Sequence, residues 1–138
     1  MEPGATFDSL VGDLDYPMFI VTACADGERA GCLIGFATQA SIDPSRFLVC
    51  LSHNNRTYEV GRETDLLGVH FVPEEAADLA ELFGGETGDE VDKFERCSWE
   101  PGPGGTPLLD RCPNRFVGRV LERRRGDRAA LPRPGRRR

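Results

Sequence analysis

Lysine is almost missing from this chain of 138 residues: Lys93 is the only one, and it follows Asp92 rather than a glycine. A phosphate loop of the G-x-x-x-x-G-K-[ST] type is therefore absent, and no G-x-G-x-x-G opens a helix after a strand. There is no G-x-S-x-G elbow, and the two histidines, His53 and His70, have no obvious triad partners. The five cysteines, at 24, 32, 50, 97 and 112, are odd in number and show no C-x-x-C spacing. They fit neither a zinc ribbon nor a disulfide framework. With only two imidazoles available no metal site is expected, and Cys24, Cys32 and Cys50 stand in apolar runs where inert, buried thiols are common. No run approaches the ~18 apolar residues of a membrane span. Met1-Glu2-Pro3-Gly4 lacks the basic and apolar parts of a signal peptide, so a cytoplasmic location is expected.

What remains is the composition of a folded domain. Hydrophobic residues make up 39% and charged residues 29% of the chain, and a chain of this size buries roughly two-thirds of its unfolded surface. The net charge of −6 conceals two unlike parts. Residues 1–110 carry six basic against 21 acidic side chains, whereas residues 111–138 carry eleven arginines against Glu122 and Asp127. The acidic body repels a phosphate backbone, so nucleic-acid binding is not expected.

Tyr16 to Cys24 is rich in β-branched and aromatic residues and reads as a strand, with Arg29 to Phe36 returning after an Asp26-Gly27 turn. Gly31 and Gly35 weaken that second strand and each marks a bulge or the close approach of another group. Arg46 to Leu51 is a further strand behind the turn residues Ser41 to Ser45, and Leu66 to Val72 is the next. Asn55 is suited to cap a short helix over Arg56 to Glu63. Pro73 opens a better helix that places Ala76, Leu79, Ala80 and Phe83 on one face and ends at Gly84-Gly85. A short helix over Asp89 to Arg96, a Pro/Gly loop from Pro101 to Pro107 and a strand over Arg115 to Leu121 complete the pattern. The acidic residues between Glu74 and Glu95 are spread around both helices and read as a solvated face rather than paired catalytic carboxylates. The fold class expected is mainly β (α+β).

One constellation carries chemistry. Thr38-Gln39-Ala40-Ser41 follows the glycine-bearing strand, and Asn54-Asn55-Arg56-Thr57 lies at a helix start after the next one. An arginine fork and a threonine hydroxyl beside free N–H groups suit a phosphate monoester, and they equally suit an ordinary capped helix with a surface arginine.

The chain resembles the flavin reductase-like domain family of small split-barrel proteins. The resemblance rests on YPMFIVTA at 16–23, GFATQ-x-SIDP at 35–44, FLVCLS at 47–52 and NRTY at 55–58. It continues through ELFGGETGD-x-VDKF at 81–94, W-x-PGPGG-x-P-x-L at 99–109 and CPN-x-FVGRVLER at 112–123. It implies a six-stranded antiparallel split β-barrel of the FMN-binding type with short inserted helices, spanning residues 7–123, and a homodimer with the flavin near the interface. It implies NAD(P)H as the hydride donor and FMN, or FAD, as acceptor, with reduced flavin supplied to a partner monooxygenase or kept bound as an electron carrier. The cofactor-binding residues implied are Thr38, Gln39, Ala40, Ser41, Asn55, Arg56 and Thr57. Lys93 is expected to face a nucleotide phosphate and Phe94 to cover the ring. Because the cofactors carry the reactivity, no catalytic acid, base or nucleophile is assigned.

The family pattern breaks after Arg123. A Gly-Asp-His turn and an apolar strand are usual there, but the chain reads Gly126-Asp127-Arg128 and then AALPRPGRRR. Two prolines exclude a central strand, so 124–138 is expected to be a tail without regular structure. A frameshift near residue 124 is one reading of the change, and a genuine tail is the other. A non-catalytic flavin-binding protein that has lost its closing strand is the alternative function.

Overall fold

The computed structural model describes residues 3–15, 17–85 and 92–124. Tyr16, residues 86–91, which include part of the helix expected over Asp89–Arg96, and residues 125–138 of the Arg/Pro-rich segment lie outside the described residues.

The centre of the fold is a four-stranded antiparallel sheet. Strand β1 (Phe19–Ala25) pairs on one side with β2 (Glu28–Ile34) and on the other with β5 (Leu66–Phe71), which in turn pairs with β8 (Arg115–Arg119). β1 and β2 are joined by Asp26 and Gly27, both at positive φ (52° and 79°), the backbone twist that a two-residue hairpin requires. Two antiparallel ribbons flank this sheet: β3 (Ala37–Ser41) with β4 (Arg46–Val49), and β6 (Trp99–Pro101) with β7 (Pro107–Leu109). Among the described residues there are three short α-helices, α1 (Pro3–Gly12), α2 (Arg56–Gly61) and α3 (Ala77–Gly85).

β1 reads as a continuous apolar run because both of its faces are covered. Ile20 packs on one side with Leu79, Phe83, Phe94 and Leu109, while Phe19 and Val21 pack on the other with Cys32, Ile34 and Val69. The inner residues of the β3–β4 ribbon, Ala37, Phe47 and Val49, close the second cluster. His70 stitches three strands together: its Nδ1–H donates to the Ile20 carbonyl at 3.0 Å, and the Leu109 N–H donates to Nε2 at 3.0 Å. Thr22 adds a third tie, its hydroxyl donating to the Pro107 carbonyl at 2.7 Å.

The expected mainly β architecture, antiparallel with short inserted helices, is the one observed, although its strands are more numerous and shorter than the six expected. β1 begins at Phe19, after Pro17 and Met18. The face Ala76, Leu79, Phe83 is buried as expected, but Glu74–Ala76 forms a 3-10 turn before α3 begins. The described part of the expected Asp89–Arg96 helix is a 3-10 turn, Lys93–Glu95, capped by the Asp92 carboxylate on the Phe94 N–H at 3.0 Å. The Pro101–Pro107 loop contains the turn of the β6–β7 ribbon. Cys50 is exposed rather than buried, because β4 ends at Val49 and the next residue leaves the packed face. Among the described residues no helix is long and apolar enough to cross a membrane.

Candidate functional site

Among the described residues β2 is an edge strand, paired with β1 alone, and a cleft of about 550 Å³ runs along that edge. One wall is the segment Asn54–Thr57 leading into α2. The other is the end of α3, Phe83 to Gly85, with Asp92, Lys93 and Phe94 beneath it, and β2 residues from Arg29 to Leu33 form the floor.

The α2 wall is set by its cap. Asn55 has extended backbone (φ −112°, ψ 161°), and its side-chain oxygen accepts the Tyr58 N–H at 3.0 Å, which occupies one of the N–H groups at this helix start. Thr57 is buried and Arg56 is half-exposed, its Nη2 paired with the Glu28 carboxylate. The buried Cys32 thiol lies beneath them. Burial pushes its pKa up, and hydrogen bonds with Thr57 and Asn55 oppose that rise. The net direction is upward, so Cys32 is a neutral thiol at neutral pH rather than a nucleophile.

The opposite wall is aromatic. Phe83 and Phe94 meet edge to face at 5.5 Å between ring centroids, and Phe94 meets Trp99 at 5.6 Å. Gly31 lets this cluster press against the strand: a Cβ there would stand 2.7 Å from the Phe83 ring and 3.3 Å from that of Phe94. That is the close approach its position in the sequence suggested. Gly35 shows only ordinary contact with Met18. Arg29 extends over the Trp99 ring, its guanidinium carbon 4.7 Å from the centroid.

Of the nine residues singled out in the sequence, five line the cleft: Asn55, Arg56, Thr57, Lys93 and Phe94. Two of these are placed differently from expectation. The Lys93 ammonium is buried and donates to the carbonyls of Gly31 at 3.1 Å and Phe83 at 3.0 Å, instead of facing outward to a phosphate. Phe94 is 7% exposed and belongs to the core beneath the cleft, instead of forming a free cover. Both departures have one cause. The ammonium is drawn inward by the carbonyls to which it donates, and its aromatic neighbour follows it into the packed interior. The other four, Thr38, Gln39, Ala40 and Ser41, stand on β3 outside the cleft. The first three are exposed, and their side-chain hydrogen bonds are local, Thr38 to the Gln39 carbonyl and Gln39 to the Ser41 carbonyl.

Arg29, Cys32 and the Gly84-Gly85 pair also line the cleft and are not among the residues nominated from the sequence. Only the glycines carried a signal, and it pointed to a helix end. The histidines take no part in the cleft. His70 is buried with both ring nitrogens used, and burial lowers its pKa from 6.5 to about 4. His53 is exposed beside Tyr58. The cleft therefore offers a guanidinium, a buried hydroxyl and an aromatic wall, and no histidine acid or base. Such a set is chemically able to hold and orient a phosphate-bearing aromatic molecule that brings its own reactivity.

Comparison with known proteins bears on the family and the fold. The flavin reductase like domain model matches residues 11–131. An FMN reductase (NADH) of Pseudomonas syringae pv. syringae is 30% identical over 91 residues, 66% of this chain and 51% of that protein. A ferric-chelate reductase (NAD(P)H) of Archaeoglobus fulgidus is 27% identical over 97 residues, 70% of this chain and 57% of that one. The chain thus spans little more than half the length of these curated relatives. The crystal structure of a nitrilotriacetate monooxygenase component B from Mycobacterium thermoresistibile shares the fold, with a TM-score of 0.77 and 23% identity over 89% of this chain and 67% of that one.

Proposed function

The chain belongs to the flavin reductase-like domain family, and from that membership and the cleft we propose that it binds FMN and transfers hydride from NAD(P)H to flavin. The observation that carries the reading is the meeting of Arg56 and Thr57 with the aromatic wall across one cleft of about 550 Å³. That volume falls within the roughly 300–1,000 Å³ range of cofactor pockets.

In this reading the Arg56 fork and the Thr57 hydroxyl take the phosphate, Asn55 holds the segment that carries them, and the Phe83–Phe94 wall keeps water from one side of the ring. When bound, the flavin supplies the hydride acceptor and the nicotinamide nucleotide the hydride. Lys93 is then a positioning residue that ties the Asp92–Glu95 turn to β2 and α3. FMN is preferred to FAD because no evident adenine site stands among the described residues. NADH and NADPH both remain candidate donors, as the names of the two curated relatives suggest.

The reading includes a homodimer. Leu48 on β4 and the flanking Phe36 and Ile42, at 53%, 70% and 81% exposure, give an apolar surface to the β3–β4 ribbon that bears Thr38, Gln39, Ala40 and Ser41. A second copy packed on these apolar groups would bring that ribbon into a flavin site. The unit proposed is a cytoplasmic domain over 7–123 with 124–138 as a tail, handing reduced flavin to a partner oxygenase.

The test is a visible absorbance titration of the purified chain with FMN, followed by anaerobic NADH and then NADPH. A shifted flavin band that bleaches is the result expected. A shifted band that never bleaches overturns the reductase in favour of a flavin-binding protein, and no shift overturns both.

A further inference from the structure

The pleat of β2 sorts its side chains into two sets. Ala30 and Cys32 bury toward α2, Ala30 against Val60 and Cys32 beside Thr57 and Asn55. Arg29, Gly31 and Leu33 face the opposite side, toward Trp99, Phe83 and the end of α3. Asp26-Gly27 is the shortest hairpin turn, so Glu28 is the first residue of the returning strand and stands two positions before Ala30. With a side-chain period of two, Glu28 must point to the α2 side. There its carboxylate accepts from Nη2 of Arg56, the guanidinium that lines the cleft.

We infer that Glu28 is an internal competitor for the phosphate site: its carboxylate pairs with the Arg56 fork and must be displaced when a phosphate-bearing flavin enters. The inference rests on the FMN reading above and adds to it a residue that sets how strongly the phosphate is felt. Carboxylate and phosphate are alternative anions for one planar fork, and both prefer the same Nη face. Glu28 can yield, because its side chain is 60% exposed against 33% for Arg56, and a released carboxylate finds water at once. Such a device keeps phosphate recognition weak enough for the flavin to leave after reduction. An exposed pair of this kind changes an equilibrium by a factor of about 1.4 to 5, and removing a negative charge beside a bound phosphate adds to that.

The experiment titrates the whole chain with FMN and, separately, with riboflavin, reading flavin fluorescence for wild type, Glu28→Gln, Glu28→Ala, Arg56→Gln and the double variant Glu28→Gln/Arg56→Gln. Both Glu28 variants are expected to bind FMN about fivefold more tightly and riboflavin within about twofold of wild type, and the gain is expected to vanish in the Arg56→Gln background. Wild type binding FMN while both Glu28 variants bind it equally or more weakly overturns the competitor role and leaves the FMN reading standing. A gain that is equal for riboflavin, or that survives Arg56→Gln, overturns it too. Wild type binding neither flavin overturns the FMN reading and this inference with it.

Discussion

Acid is expected to unfold this protein through one imidazole. His70 is fully buried, donating from Nδ1 to Ile20 and accepting at Nε2 from Leu109, so the proton position is set by a backbone N–H that can only donate. A second proton on Nε2 would break the Leu109 bond and place a charge in the core. Burial accordingly lowers the folded pKa from 6.5 to about 4, with the nearby Arg115 charge acting in the same direction. The unfolded chain therefore takes up a proton first as pH falls. The stability held above pH 6.5 is lost between there and about 4, and the full loss is about 3 kcal/mol. From pH 7 to pH 5 about 2 kcal/mol of it goes, which for a domain of this size lowers a urea midpoint by about 1 M. Asp78 does not confuse the window. Its carboxyl is held from 3.8 down to about 2 by hydrogen bonds from Arg111, so its contribution is lost only at lower pH. Urea unfolding at pH 7 and pH 5, at one protein concentration, should show the shift in wild type. In His70→Gln the protein is weaker at pH 7 by about 1–3 kcal/mol but its midpoint is nearly independent of pH over this range. Equal shifts in the two proteins would refute the argument.

Three further outcomes follow from the cleft. Gly31→Ala drives a methyl to within 2.7 Å of the Phe83 ring and should cost about 1–3 kcal/mol, lowering Tm, whereas Gly85→Ala, with only Glu81 Cγ at 3.9 Å, should leave Tm nearly unchanged. Lys93→Met leaves the Gly31 and Phe83 carbonyls without their charged donor and should destabilise by about 1.5–3 kcal/mol in thermal unfolding. Thr57→Val keeps the buried shape but removes the hydroxyl. It should weaken FMN about tenfold in a fluorescence titration while leaving riboflavin within about twofold.

Much of this was legible in the chain itself, for physical reasons. The β1–β2 hairpin announces itself because Asp26-Gly27 suits only one kind of turn, and α3 because Ala76, Leu79 and Phe83 fall on one side of a helix. β3 did not, because a register shift between Gln39 and Ser41 breaks the alternation that marks a strand. The β6–β7 ribbon was hidden by its prolines, since Pro101 and Pro107 face each other in strands of three residues. α1 leaves Phe7 and Leu10 more than 60% exposed, so it lacks the buried stripe by which amphipathic helices are read. Of the cleft, Arg56 and Thr57 could be nominated from residue type. Their meeting with Lys93 and Phe94 depends on pairing across the sheet edge, which no local pattern contains. The direction of Lys93 was least legible of all: a lone lysine in an acidic body suggests a surface cation, and only the two carbonyls that receive it show otherwise.

Those two carbonyls also explain why the cleft lies where it does. An edge strand presents unpaired backbone groups and invites pairing with another chain. At β2 the invitation is withdrawn from within. Lys93 takes the outward carbonyl of Gly31, Phe83 and Phe94 crowd the same residue, and the Asn54–Thr57 segment stands over the opposite side. A further strand is kept from docking there, yet the edge is not sealed, and the space left between its two guards is the cleft. Lys93→Met therefore tests more than stability. If the ammonium keeps the edge both blocked and open, its loss should increase concentration-dependent self-association in light scattering as well as lower Tm. A variant that loses stability while its association is unchanged would show that the aromatic side chains guard the edge without it.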